Sequence, residues 1–317
     1  MKGNIDEITS VLKRTKIFIA HSIYQYIPHI DYHPMDVAAL VYYANCLDIT
    51  IPPQVEEKTE KFLSEEVGHN YSKMPIREIF WGISYLLVKG YTLEQLSGPI
   101  KHVLSFQNEN GGIGFYEGDV SRIPGTGWLL STILSKKYEN ESLYKTHRNK
   151  ILKAADFLVD EWTKDVSIGH ALSYKGAYVL TSLLGCADLN LTPHDLEDTI
   201  TRTVGILLDM QSENGSWTFL LKQSDSRISS ALSVPHITSR VMLSLCGAFQ
   251  RENNGTTAIL GKDLLDGVVG AVERGAKYLC ETQFELGFWY AHDAGELAVI
   301  NGQCALALKE VLEVLPR

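Results

Sequence analysis

Histidines and carboxylates stand close together at several points of this 317-residue chain. His33 precedes Asp36, His236 precedes Arg240, and His170 precedes Lys175. In His292-Asp293-Ala294-Gly295-Glu296 two carboxylates lie three apart beside an imidazole, a spacing that shares one face of a helical turn. A His–Asp pair, or one carboxylic acid kept protonated in an apolar chamber, can hand a proton to a substrate. Asp36, His236, His292, Asp293 and Glu296 are the candidates for that catalytic role. Three of His33, His170, His236 and His292 with a carboxylate could instead hold a divalent metal and leave one position open. Their spacing is long-range, so no metal identity follows from it. His33, Trp81, Trp128, His170, Tyr178 and Arg240 are the candidates for substrate contact, since aromatic faces stabilise cations. Each residue also has a plainer use. Asp36 can steady a helix start through the macrodipole, and His236 can be a structural imidazole behind Pro235. Asp293 and Glu296 can be solvated, and the aromatic side chains can be core.

The elements that must position these residues repeat. Runs 36–47, 76–88, 124–134, 172–184, 236–249 and 298–312 are rich in Ala, Leu, Val and Gly on nearly every face, as helices buried on both sides are. Runs such as 54–66, 145–160 and 195–210 are amphipathic, with Glu and Lys on one face. Counting from a helix at 6–25, six amphipathic helices alternate with six buried ones. Three of the connections share one shape: Gln107 to Gly111 and Ile113, Gln211 to Gly215 and Trp217, Gln283 to Gly287 and Trp289. Each reads as a helix ending in Gln, then Gly four residues on, then Trp or its substitute. The glycine supplies the backbone freedom of a helix stop, and the tryptophan can pack on the next helix. Helix pairs recurring at about 40 to 70 residues mean stacking or closure. The expected fold is all-α, a closed (α/α)6 barrel of six inner and six outer helices, forming a single domain over 1–317. An open solenoid is the alternative, but the inner helices are too apolar to line an exposed concave face. Parallel inner helices would gather their N-termini, and the candidates above, at one end of a cavity.

Bulk properties exclude several classes. With 45% apolar and 21% charged residues the composition is that of a globular protein. A net charge of −9 argues against nucleic acid as partner. The N-terminal residues 1–7 are acidic where a signal peptide is basic, and no run of about 18 apolar residues occurs. Cytoplasmic localisation is the expectation, with peripheral membrane contact left open and oligomeric state unread. Cysteines 46, 186, 246, 280 and 304 form no CxxC pair and read as buried free thiols. No GxGxxG, Walker A or Asp-Asp-x-x-Asp segment appears.

The stretch Arg274-Gly275-Ala276-Lys277-Tyr278-Leu279 through Gln283, Gly287 and Trp289 resembles the QW repeat of squalene–hopene and related cyclases. Gln211 to Trp217 is a second match, and Gln107 to Gly114 a third that lacks its Trp. The chain thus resembles the terpenoid cyclase and protein prenyltransferase superfamily, as one barrel where larger members carry two. It departs from the family where chemistry begins. No Asp-x-Asp-Asp motif is present: His33-Pro34-Met35-Asp36 or Val234-Pro235-His236-Ile237 stands in its place, with Met35 or His236 at the acid position. The Asp-x-Cys zinc pair of the prenyltransferases is missing too, since Gly295 follows Asp293 by two. The resemblance implies a class II-type isoprenoid cyclase with a non-standard proton donor, acting on a linear prenyl chain in an aromatic-lined cavity and needing no cofactor for protonation. The alternatives are a metal-dependent enzyme on the same barrel, such as a prenyl transferase, and a non-catalytic barrel for a hydrophobic ligand or peptide.

Overall fold

The computed structural model describes residues 2–26, 34–116, 118–134, 141–170, 172–218, 234–255, 259–289 and 294–315. Among them are twelve α-helices and no strand. The amphipathic set is α1 (Lys2–Tyr26), α3 (Pro53–His69), α5 (Ser97–Ser105), α7 (Glu141–Ser167), α9 (Leu196–Asp209) and α11 (Lys262–Thr282). The apolar set is α2 (Pro34–Cys46), α4 (Ile76–Val88), α6 (Ile123–Ile133), α8 (Ser173–Asp188), α10 (Val234–Asn253) and α12 (Ala294–Val314). Each apolar helix packs on the next, and α12 packs on α2, so the six form a closed inner ring. The amphipathic helices lie outside, each against its inner neighbours. This is the (α/α)6 barrel, and the open solenoid is excluded. No helix among the described residues is long and apolar enough to cross a membrane.

The Gln–Gly–Trp turns do the joining. At the end of α9, Gln211 donates through Nε2 to the carbonyl of Gly215 in its own turn (2.9 Å) and to that of Ala271 in α11 (2.8 Å). Its Oε1 accepts from Arg274 Nε and Nη2 at 3.0 and 2.6 Å. One side chain therefore fixes a helix stop to the neighbouring outer helix. Trp217 is fully buried; its indole N–H donates to the Leu207 carbonyl (2.6 Å) and its backbone N–H to Thr238 Oγ1 of α10 (3.1 Å). The turn after α11 repeats the pattern against the other end of the chain. Gln283 Nε2 donates to Thr15 Oγ1 (2.6 Å), Arg14 donates to its Oε1 (3.0 Å), and Trp289 donates to Leu279 O (2.9 Å) and Asn301 Oδ1 (2.8 Å). After α5, Gln107 reaches Gly111 and Lys150, while buried Ile113 takes the tryptophan's place and donates its N–H to Thr126.

Glycine is required in these turns for two reasons at once. Gly111, Gly215 and Gly287 have φ of +89°, +86° and +88°, and a Cβ at Gly215 would land on the carbonyl of Arg274 in α11. Gly90, also at positive φ (+93°), has open space around it. Gly215→Ala should therefore lose about 2–4 kcal/mol, combining backbone strain with overpacking. Gly90→Ala should lose only about 1 kcal/mol. Urea unfolding of the two variants measures the difference, and equal losses would contradict the assigned role of the turn.

Candidate functional site

Within the inner ring lies a cavity of about 360 Å³, touched by all six inner helices. That is within the usual span of small-molecule pockets, about 300–1,000 Å³. One arc of its wall is aromatic. Trp81 of α4 meets Trp128 of α6 edge-on (centroids 5.2 Å apart, planes at 83°), and Tyr42 and Tyr43 of α2 both approach Trp81, at 5.8 and 5.7 Å. The four rings form one contiguous aromatic cluster on the cavity wall, a lining that favours apolar chains and cations. The opposite arc holds the guanidinium of Arg240 on α10, whose Cζ lies 4.1 Å above the ring centroid of Tyr178 on α8.

Hydroxyls complete the wall one turn further along each helix. Ser84 follows Trp81, Ser131 and Thr132 follow Trp128, Thr181 follows Tyr178 and Ser244 follows Arg240. Several are held by their own or neighbouring helices. Thr181 and Ser244 share a hydrogen bond at 2.8 Å, both reach the Ala177 carbonyl, and Ser84 and Thr132 lie 3.5 Å apart. Burial pushes the Tyr43 phenol far above its ordinary pKa, partly opposed by the positive charge of Arg240. It is a neutral hydroxyl at any physiological pH and cannot act as a base.

Three of the substrate-contact candidates, Trp81, Trp128 and Arg240, border the cavity, and Tyr178 lies beneath the last. His170 is instead exposed in the connection between α7 and α8, its backbone N–H closing the end of α7 on Asp165. His236 starts α10 one turn before Arg240, half-buried. Asp36 and Glu296 fall in the first turns of α2 and α12, which are neighbours in the ring, but their side chains lie outside the described residues. His33, His292 and Asp293 lie outside the described residues altogether. Among the described residues no three His, Cys, Asp or Glu side chains converge in a metal-binding group.

The expectation that the helix starts would hold the site does not describe this cavity, which runs along the middle and C-terminal turns of α2, α4 and α6. The physical reason is visible at α6, α10 and α12. Thr126 and Thr238, near the starts of α6 and α10, are engaged by the preceding connections, as is Asn301 two turns into α12. Tyr42, Tyr43 and the five hydroxyl residues were not anticipated. Their signal in the sequence is a Ser or Thr three or four residues after each large inner side chain.

No protein-family model matches the chain, and no curated protein does. Solved structures do. A variant of the type II terpene cyclase MstE from Scytonema, in complex with the substrate geranylgeranyl dihydroxybenzoate, matches with a TM-score of 0.60 at 10% identity, over 99% of this chain and 100% of that one. A second, apo MstE variant gives 0.60 at 11%, with the same coverage. A possible member of the GH105 family from Klebsiella pneumoniae gives 0.57 at 10%, over 97% and 93%. The fold is shared with terpene cyclase and GH105 barrels alike.

Cavity access can be read from the thiols. Cys186, Cys246, Cys280 and Cys304 are buried within helices, and burial is the largest cause that pushes Cys186, Cys280 and Cys304 up to about 12. Cys46 is half-buried and borders the cavity. A small methanethiosulfonate reagent at pH 8 should modify Cys46 first and the four buried thiols only on unfolding. Peptide mass mapping checks this; simultaneous modification of all five would contradict the placement.

Proposed function

We propose that this barrel is an isoprenoid cyclase of the class II type, with a linear prenyl chain as substrate. The observation that carries the reading is the aromatic arc of Tyr42, Tyr43, Trp81 and Trp128 on a cavity enclosed by the inner ring. Such a wall folds an apolar chain and stabilises positive charge through its aromatic rings. The likeness to a cyclase barrel crystallised with a geranylgeranyl-bearing substrate supports the same substrate class.

In this reading an acid protonates the terminal alkene, the next double bond attacks the resulting cation to close a ring, and a final C–H proton returns to a base. Mass is unchanged, so the reaction is an isomerisation that consumes no co-reactant. Asp36 and Glu296, in the first turns of adjacent inner helices, and His236, His292 and Asp293 are the proposed donors and acceptors. A carboxylic acid there would need its proton held by an apolar setting or by a neighbouring imidazole.

A second reading, ligand binding without turnover, draws on one observation: among the described residues no carboxylate borders the cavity. The two separate on incubation of purified protein with squalene and C10–C25 prenyl diphosphates. A product of unchanged mass and altered retention is the expected result, and ligand recovered unaltered across the panel would leave binding alone. Where turnover is found, Asp36→Asn, His236→Gln, His292→Gln, Asp293→Asn and Glu296→Gln are tested singly. The variant lacking the proton donor should fall about 10²–10⁴-fold, and five variants of wild-type rate would remove this donor assignment.

A further inference from the structure

Arg240 is the one charged side chain on the described cavity wall, and the chamber gives it no counter-ion. Its Nε is fully shielded from solvent and has no hydrogen-bond partner among the described residues. The guanidinium carries its charge over the Tyr178 ring, which fixes the plane of the fork without using its donors. Beside it, Ser244 lies one turn along α10 and shares a hydrogen bond with Thr181 of α8. Both hydroxyls border the same cavity. The positive field reaches across the chamber, since it offsets part of the burial effect on the Tyr43 hydroxyl.

A guanidinium N–H shielded from solvent and left without an acceptor is unfavourable unless something completes it. In a chain of net charge −9, no excess of basic residues accounts for a guanidinium at this place. We propose that Arg240, with Thr181 and Ser244, forms a subsite for the anionic head group of the ligand, a carboxylate or a phosphate on the end of its apolar chain. Planar guanidinium donors suit either anion, bidentate to a carboxylate or forked to a phosphate, and Thr181 or Ser244 joins them by turning its single proton from a helix carbonyl to the anion. The inference rests on the prenyl-chain reading and adds polarity to it. The head lies on the α8–α10 side and the chain runs towards Tyr42, Trp81 and Trp128. It also says where a carbocation can develop, because a fixed positive charge disfavours one beside Arg240 and leaves the aromatic arc as the place for it.

The test compares farnesoic acid, farnesyl monophosphate and farnesol by calorimetric titration of the intact protein. At least one of the two anions should bind about 10- to 100-fold more tightly than the alcohol, the worth of a charge-assisted hydrogen bond. The better of the two identifies the head group. Arg240→Met should remove that advantage, with a cooperative thermal transition recording that the barrel is folded, and Thr181→Val should remove part of it. Equal affinity of acid, phosphate and alcohol for the wild type would overturn the subsite while leaving the prenyl chamber standing. So would an advantage that survives in Arg240→Met. Absence of binding by all three would overturn the prenyl reading and the subsite together. The wild-type comparison decides the matter even where the variants do not fold.

Discussion

The structure depends on a glutamine side chain used as a rivet between outer helices. An outer helix that stops must satisfy the carbonyls of its last turn and must direct the chain inward to the next apolar helix. Trp217 and Trp289 donate to the Leu207 and Leu279 carbonyls of the helix end, while Gln211 and Gln283 bond to a neighbouring outer helix and each accepts an arginine from it in return. The turn at Gln283 joins residues some 270 apart in sequence, as in the Gln283 to Thr15 bond. Ring closure is thus secured by the same device that joins successive repeats. The buried tryptophan beneath each of these two rivets ties it to the next inner helix through Thr238 or Asn301. Outer ring, inner ring and helix stop are set by one turn.

Closure then decides what the interior can be. Inner helices approach closely where glycine allows it. A Cβ on Gly302 would land on the ring of Tyr43, and one on Gly127 would lie 2.8 Å from the Cβ of Tyr178. These contacts press the aromatic side chains of α2 and α8 into fixed places. With backbones fixed, the interior volume is a matter of side-chain size. Trp81, Trp128, Tyr42 and Tyr43 fill one arc, while Ser, Thr and the reach of Arg240 leave the remainder open. The result is an amphipathic chamber, aromatic on one side and cation-bearing on the other, with hydroxyls on both.

The architecture was legible because it is written in periodicity. Helices apolar on all faces alternate with amphipathic ones, and the three glutamine turns mark where outer helices stop. The residues of the site were less so. Arg240 could be named from its place in the repeat, and Trp81 and Trp128 as aromatic side chains suited to a cyclase cavity, yet the repeat also put His170 with them, and it lies exposed in a connection. Sequence position fixes a residue's turn along the helix but not which way that turn faces, and a shift of one residue rotates a side chain by about 100°. The hydroxyls were overlooked because Ser and Thr in an apolar helix commonly bond their own backbone, as Thr181 and Ser182 do to Ala177 and Tyr178. Only the assembled ring shows that Thr181 and its counterparts also face a common space.

The proposed prenyl chain enters this chamber and lies against its aromatic arc. Photolabelling with a geranylgeranyl chain carrying a terminal diazirine, followed by peptide mass mapping, locates it. Crosslinks are expected in peptides containing Tyr42–Tyr43, Trp81 or Trp128, suppressed by excess unlabelled chain. Crosslinks confined to exposed apolar residues such as Ile17, Phe284 and Leu286, and unaffected by competitor, would contradict it.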